Sequence, residues 1–259
     1  MSETVEIISF DSENLTNHGF FCYKSKPKSD GYRQKLDWLS QRQAEGLRMK
    51  ILVEGKRSMG FIEYIPGEYA WRAVRAADYL VIHCLWVVGM GKGKGYASQL
   101  LGLCEQEARD LGMAGVAMVS SSGNWLAGEA ILLKNGYRRV DQAPPTFQLM
   151  VKPFGEGMLP SFPGDWPARQ ARYGPGLTAV RTPQCPYIDN AAQIVAEVAE
   201  ERGLGFQEVE LTSAAEVQEK APSPYGVFAI LSDGLLLSYH YLTRSELLER
   251  LTQPSRLLK

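Results

Sequence analysis

The apolar and polar positions of this chain change period several times, and each change marks an element. Val5 to Phe10 reads as a first strand. From Tyr32 to Glu45, Leu36 and Leu39 recur at helical spacing with Trp38 beside them, and Gly46 ends the helix. Met49 to Val53 and Met59 to Tyr64 predict two strands joined by the hairpin turn Glu54-Gly55-Lys56-Arg57, and Pro66-Gly67 ends the second. Tyr79 to Val88 is a long apolar strand. From Tyr96 to about Leu111 the pattern is helical, with Leu100, Leu101, Leu103 and Cys104 on one side and Glu105, Glu107 and Arg109 on the other. Gly115 to Ser120 predicts a strand and Leu126 to Leu133 a short helix closed by Asn135-Gly136. Tyr137 to Val140 and Phe147 to Val151 predict a strand pair.

Residues 153–176 mix prolines and glycines, which predicts a linker between a first domain, 1–152, and a second, 177–259. Phe154, Phe162, Trp166 and Tyr173 suggest that this linker packs on a surface. Beyond it the pattern predicts strand Leu177–Arg181, helix Asn190–Glu201, strand Phe206–Leu211, helix Ser213–Lys220 and strand Val227–Leu231. Asp233-Gly234 then turns into strand Leu235–Tyr241, and Thr243 caps a helix over Arg244–Leu251 with Glu246 in the capping-box position.

The chain has 259 residues, 45% of them hydrophobic, enough to build real cores in one large or two small domains. A net charge of −1 and the lack of a long basic run give no reason to expect nucleic acid or a membrane surface as partner. No apolar run reaches transmembrane length, and Met1 to Glu6 is acidic with no apolar signal region. Cys22, Cys84, Cys104 and Cys185 are scattered, so free thiols in a reducing cytoplasm are expected. The three histidines are not clustered with cysteine, and no metal site is expected.

The most informative segment is the glycine run after the long strand. Gly89, Gly91, Gly93 and Gly95 alternate with Met90, Lys92 and Lys94 and open a helix at Tyr96. Such a turn points orphan backbone N–H groups and the positive end of a helix dipole at one place, which suits phosphate. A Walker A loop is excluded, since Gly follows Lys92 and Lys94 where Ser or Thr is needed. The dinucleotide spacing does not fit either. A tight glycine turn with solvated lysines is the plain alternative.

Lys92-Gly93-Lys94-Gly95-Tyr96-Ala97 resembles the Arg/Gln-x-x-Gly-x-Gly/Ala loop of the GNAT N-acetyltransferases, with Lys92 where that family has Arg or Gln. Ser122-Gly123-Asn124-Trp125-Leu126-Ala127 and Ala130 to Tyr137 resemble the family's second motif, with Leu133 near its common Tyr. The resemblance covers roughly residues 1–152. It implies an α/β (α+β) fold with the GNAT mixed central sheet and flanking helices. It also implies acetyl-CoA as cosubstrate, a small-molecule or peptide amine as acceptor, and direct attack in a ternary complex; members are often dimers, so a homodimer is an option. The pyrophosphate would sit on the N–H groups of Lys92, Gly93, Lys94, Gly95, Tyr96 and Ala97. The backbone of Val87 and Val88 would pair with the pantetheine, and Asn124 would bond the same arm or cap a helix. Tyr137 would be the general acid, or a core aromatic opening a strand.

For the general base the residues offer two candidates. His83 lies on the long strand with the facing of Val81, Leu85 and Val87, and an ordinary imidazole pKa suits deprotonating an ammonium; a satisfied core histidine is the alternative. Glu63, polar among Phe61, Ile62, Tyr64 and Ile65, is either a base or a solvated residue. The loop Tyr69 to Arg75, flanked by Glu68 and Asp78, is placed to line the acceptor site, with Trp71 and Trp86 shaping it or packing.

The β-α-β-α-β-β-α order of the second domain resembles a smaller thioredoxin-like α/β domain. Cys185-Pro186-Tyr187 stands where glutaredoxins keep Cys-Pro-Tyr, and Pro224 where that fold keeps a cis-proline; Ile188 replaces the second Cys. The pairing resembles the YoaP-like acetyltransferases. Cys185, after a strand and at a helix N-terminus, is expected to have a lowered pKa and to serve as a redox group, substrate contact or sensor, or as an inherited fold residue. A non-catalytic acyl-CoA-binding or thiol-sensing protein is the rival to the enzyme, and a monothiol redox enzyme the third reading.

Overall fold

The computed structural model describes residues 4–10, 22, 25–123, 125–188 and 190–252. Seven strands form a mixed sheet: β1 (Val5–Ser9), β2 (Arg48–Glu54), β3 (Arg57–Pro66), β4 (Tyr79–Val87), β5 (Gly115–Ser121), β6 (Arg138–Ala143) and β7 (Phe147–Pro153), in the order β1-β2-β3-β4-β5-β7-β6. Only β4 and β5 run parallel. A parallel pair needs a crossover, and α2 (Tyr96–Asp110) supplies it by packing across β3, β4 and β5.

Helix α1 (Asp30–Arg42) starts where Ser29 accepts the Tyr32 N–H at 3.2 Å, and Gly46, at φ 89°, takes the left-handed conformation that ends its last turn. Helix α3 (Glu129–Lys134) begins later than the sequence predicts. Trp125 adopts φ 73° and Gly128 is the residue before the helix, so Leu126 and Ala127 stay in a loop.

The linker is bound on both sides and carries an unpredicted short helix, α4 (Trp166–Ala171), whose second residue is proline. Phe162, Trp166 and Tyr173 are buried, as expected of a packed linker. Asp141 accepts the Phe162 N–H at 2.8 Å, and Tyr173 donates to the Lys220 carbonyl at 2.7 Å.

The second sheet comprises β8 (Leu177–Arg181), β9 (Phe206–Glu210), β10 (Phe228–Ser232) and β11 (Leu235–Ser238), in the order β11-β10-β8-β9 with only β8 and β9 parallel. It is accompanied by α5 (Ala191–Glu201), α6 (Ala214–Lys220) and α7 (Arg244–Thr252). The capping box at α7 is formed: Glu246 accepts the Thr243 N–H at 2.7 Å, and Thr243 Oγ1 accepts the Glu246 N–H at 3.3 Å. The expected cis-proline is not found. Among the described residues only the Pro144–Pro145 peptide is cis; Pro224 is trans, the usual X-Pro state, and lies in a bend four residues before β10.

The seven-stranded sheet buries both faces. One face packs on α2 through Leu80, Ile82, Leu85, Leu100 and Met118. The other packs on α1 and on the second sheet in one continuous core, in which Trp38, Trp71, Val81 and Phe147 meet Val180, Phe228 and Tyr239. None of the described helices is long and apolar enough to cross a membrane.

Candidate active site

Strands β4 and β5 pair from Tyr79–Gly115 to Ile82–Met118 and then part. Beyond that point β4 bonds only to β3, and β5 only to β7 through Val119–Leu149 and Ser121–Phe147. A wedge opens between two backbones whose facing N–H and C=O groups lack a strand partner, and buried backbone groups of that kind need one. Val87 is the last residue of the β4 wall. Val88 lies just beyond it, and its N–H is committed to the Met59 carbonyl at 2.9 Å.

The wedge leads to the glycine run. Gly89–Gly91 form a single tight turn, and the N–H groups of Lys92 and Lys94 fold back onto Gly89 and Gly91 at 3.2 and 3.3 Å. Gly93 and Gly95 sit at φ 82° and 80°, the left-handed region that glycine alone enters freely. Helix α2 then starts with no side-chain cap, its first backward bond being Gln99 N–H to Gly95. The first-turn N–H groups of Tyr96, Ala97 and Ser98 are left for a ligand, at the positive end of the dipole. Of the N–H groups expected to hold pyrophosphate, those of Lys92 and Lys94 are thus engaged within the turn. Lys94 is held by the Glu54 carboxylate at 2.7 Å, while Lys92 is exposed.

A register shift between Glu63 and Tyr64 leaves His83 as an extra residue in β4: Cys84 pairs with Glu63, and Ile82 with Tyr64. Strict alternation therefore fails here. His83 and Cys84 both turn to the α1 side with Val81, whereas Leu85 and Val87 pack on the α2 side.

On the α1 side lies a buried polar network. Glu63 Oε2 accepts from Lys35 Nζ at 2.5 Å, and Glu63 Oε1 from Gln184 Nε2 at 2.9 Å and His83 Nδ1 at 3.3 Å. The Trp71 N–H donates to His83 Nε2 at 3.0 Å, which fixes the neutral tautomer with its proton on Nδ1. Arg72 donates to Gln184 Oε1 at 2.6 Å, to the Trp71 carbonyl at 2.7 Å and to the His83 carbonyl at 2.5 Å. Burial alone would raise the Glu63 pKa, but the Lys35 ammonium and the His83 hydrogen bond outweigh it and hold the carboxyl well below the usual range. Glu63 is thus not solvated. Burial pushes His83 down to about 4, so it is neutral at neutral pH with both ring nitrogens engaged. That is the satisfied core histidine, and its pKa is not the ordinary imidazole value.

The thiols also depart from expectation. Burial raises Cys185, and the Tyr187 N–H offsets only part of this. Cys185 precedes a single 3-10 turn, Pro186–Ile188, and the α-helix begins only at Ala191, so burial outweighs what this turn's N–H groups contribute. Cys84 is pushed up to about 12 by burial, and Cys22 is raised as well. Tyr137 is not brought to the wedge. It packs in the α2-side core at the level of Val116, behind the last β4–β5 pair, with its hydroxyl buried near Glu105. Burial raises its pKa far above the ordinary phenol value. Asn124 lies outside the described residues.

The 69–75 loop divides. Trp71 and Arg72 join the network, while Glu68 and Asp78 line a groove of about 600 Å³ at the other end of β4. Trp71 is buried edge-on against Trp38, and Trp86 is exposed. Sequence reasoning missed Lys35, Arg72 and Gln184. Lys35 was detectable: it lies three residues from both Tyr32 and Trp38 and four from Leu39, on the buried face of α1. Among the described residues no group of three His, Cys, Asp or Glu is arranged to hold a metal.

A model of the acetyltransferase (GNAT) family matches residues 13–124. The uncharacterized N-acetyltransferase YoaP of Bacillus subtilis strain 168 is 30% identical over 240 residues, covering 91% of this chain and 94% of that protein. Among solved structures, the PaiA N-acetyltransferase of Thermoplasma acidophilum in complex with coenzyme A has a TM-score of 0.43 at 17% identity, over 58% of this chain and 99% of that one. YncA of Salmonella typhimurium, a putative acetyltransferase with its cofactor acetyl-CoA, also has a TM-score of 0.43 at 17% identity, over 60% of this chain and 96% of that one. By its full-length likeness to YoaP and the family match over its first half, the chain belongs to the GNAT acetyltransferase family.

Proposed function

We propose that the protein moves an acetyl group from acetyl-CoA to the amine of a small molecule or peptide, by direct attack in a ternary complex. The observation that carries this reading is the wedge past Ile82 and Met118, which leads to an uncapped helix N-terminus behind a glycine turn. A pantetheine arm would complete the open backbone of the wedge. The pyrophosphate would meet the N–H groups of Tyr96 and Ala97, in the turn shaped by Gly93 and Gly95. Bound acetyl-CoA would supply the thioester; the chain supplies the walls that orient it and exclude water.

His83 and Glu63 line the acceptor side, where they hold the wall rather than offer an open proton acceptor. The second sheet covers this side: Gln184 reaches Glu63, and Tyr239 bonds Ser121 at the end of β5 at 3.0 Å. Its strand order, with β8 central and parallel only to β9, supports the thioredoxin-like reading. The raised thiols speak against a thiol sensor built on a ready thiolate.

Calorimetry with acetyl-CoA tests the cofactor, with the double variant Gly93→Asp and Gly95→Asp as control. Binding by the natural chain and its loss in the variant are expected. Absence of binding, or binding without CoA release on any amine of a broad panel, refutes the reading.

A further inference from the structure

We propose that Arg72 anchors a carboxylate of the acceptor, so that the acceptor is an amino acid carrying that group close to its reacting amine. The inference rests on the acetyl-transfer reading and names the substrate class of the same site.

Arg72 is 2% exposed, yet all its hydrogen-bond acceptors are neutral: two backbone carbonyls and the Gln184 amide. The carboxylate of the network, Glu63, is matched by Lys35, and His83 is neutral. The thiols of Cys84 and Cys185 are protonated as well. The network therefore holds one positive charge more than negative. An uncompensated buried charge is costly, and proteins ordinarily pair it. Among the described residues no carboxylate hydrogen-bonds Arg72, and the Glu63 charge it feels is already shared with Lys35, so the natural source of an anion is a ligand.

The place is right for the acceptor. Arg72 grips the carbonyl of His83, the first β4 residue past the last β4–β5 pair, so its guanidinium borders the point where the wedge opens. Two buried polar atoms there have no partner among the described residues, Arg72 Nε and Ser223 Oγ. They sit on facing segments, joined by the Ala73 N–H to the Pro224 carbonyl at 3.3 Å. The Tyr225 ring lies 5.2 Å from the guanidinium carbon and closes its outer side. A carboxylate here gains a planar, always charged donor fork, the geometry in which arginine recognises such groups.

The test compares free L-amino acids with their own carboxamides and with the corresponding decarboxylated amines, reading CoA release from acetyl-CoA. At least one amino acid is expected to exceed its carboxamide in kcat/KM by about 30-fold, or about 2 kcal/mol for one charge-assisted contact. In Arg72→Gln that ratio should fall close to one, and Arg72→Lys should keep part of it. The comparison on the natural chain needs no variant, so misfolding of Arg72→Gln does not blunt it. Turnover with equal efficiency for acid and carboxamide overturns the inference and leaves the acetyl-transfer reading standing. So does an equal loss on acids and amides in a folded Arg72→Gln, which would assign Arg72 to the developing oxyanion. No turnover with any amine overturns both.

Discussion

His83 should make the protein lose stability on mild acidification, and the size of the loss follows from its surroundings. Buried against Glu63 and the Trp71 N–H, it titrates at about 4 in the fold against its ordinary 6.5. Between these values the unfolded chain takes up a proton that the folded protein refuses. Stability from this group is therefore complete well above pH 6.5 and is lost as the pH falls toward 4. Integrated from pH 7 to pH 5, the loss is about 2 kcal/mol, and to pH 4 about 3 kcal/mol. Glu63 adds in the same direction, since its carboxyl is held ionised in the fold, but only below its ordinary 4.5. The interval from pH 7 to pH 5 therefore isolates the histidine from that carboxylate.

Urea denaturation followed by tryptophan fluorescence reads this directly, because the Trp38 ring centre lies 6.0 Å from that of His83. The natural chain should lose about 2 kcal/mol more than His83→Gln between pH 7 and pH 5. Gln does not titrate, so its own fixed cost cancels in the difference. Equal pH slopes in the two proteins, or a natural chain more stable at pH 5 than at pH 7, would refute the buried neutral assignment.

Two further outcomes follow from the same network. Glu63→Gln strands the Lys35 ammonium in the core and should cost about 3–5 kcal/mol in chemical denaturation, whereas Lys35→Met with Glu63→Leu should recover most of that. Cys84 and Cys185, both raised by burial, should resist iodoacetamide in the native protein at pH 7.5 and react once it is unfolded; stoichiometric labelling of either in the folded state within minutes would contradict their placement.

The elements were legible because their signals are local. The Glu54–Arg57 turn, the Thr243–Glu246 capping box and the glycine turn before Tyr96 each depend on a few neighbouring residues. The misses come from non-local causes. Alternation predicts that His83 and Leu85 share a face, but the extra residue in β4 separates them, and a bulge is set by strand register rather than by composition. Cys185 follows a strand and precedes a helix, as the sequence indicates, but only the packed structure shows that burial outweighs any helix dipole. Arg72 and Gln184 lie 112 positions apart, and no pattern within either segment announces their bond. Lys35 is the instructive exception, since its place on the apolar face of α1 shows in the spacing.

The bridging bonds explain why the second sheet belongs to the chemistry as well as to the architecture. Gln184 satisfies Arg72 and Glu63 at once, donating to one and accepting from the other, and it comes from the segment just after β8. Pro224 takes the Ala73 N–H, and Tyr225 covers the guanidinium. This side of the wedge is therefore built from both halves of the sequence. Removing the second sheet would open Glu63 and Arg72 to water, which would restore ordinary solvation and erase the charge surplus that low dielectric makes effective. In the proposed reaction the first sheet would supply the place for the acyl donor, and the second would turn a solvated wall into a dry, positively biased one. If the proposed acetyl transfer holds, selectivity for the acceptor would rest on Arg72, held by Gln184 and covered by Tyr225, and not on the glycine turn that the sequence displays most openly.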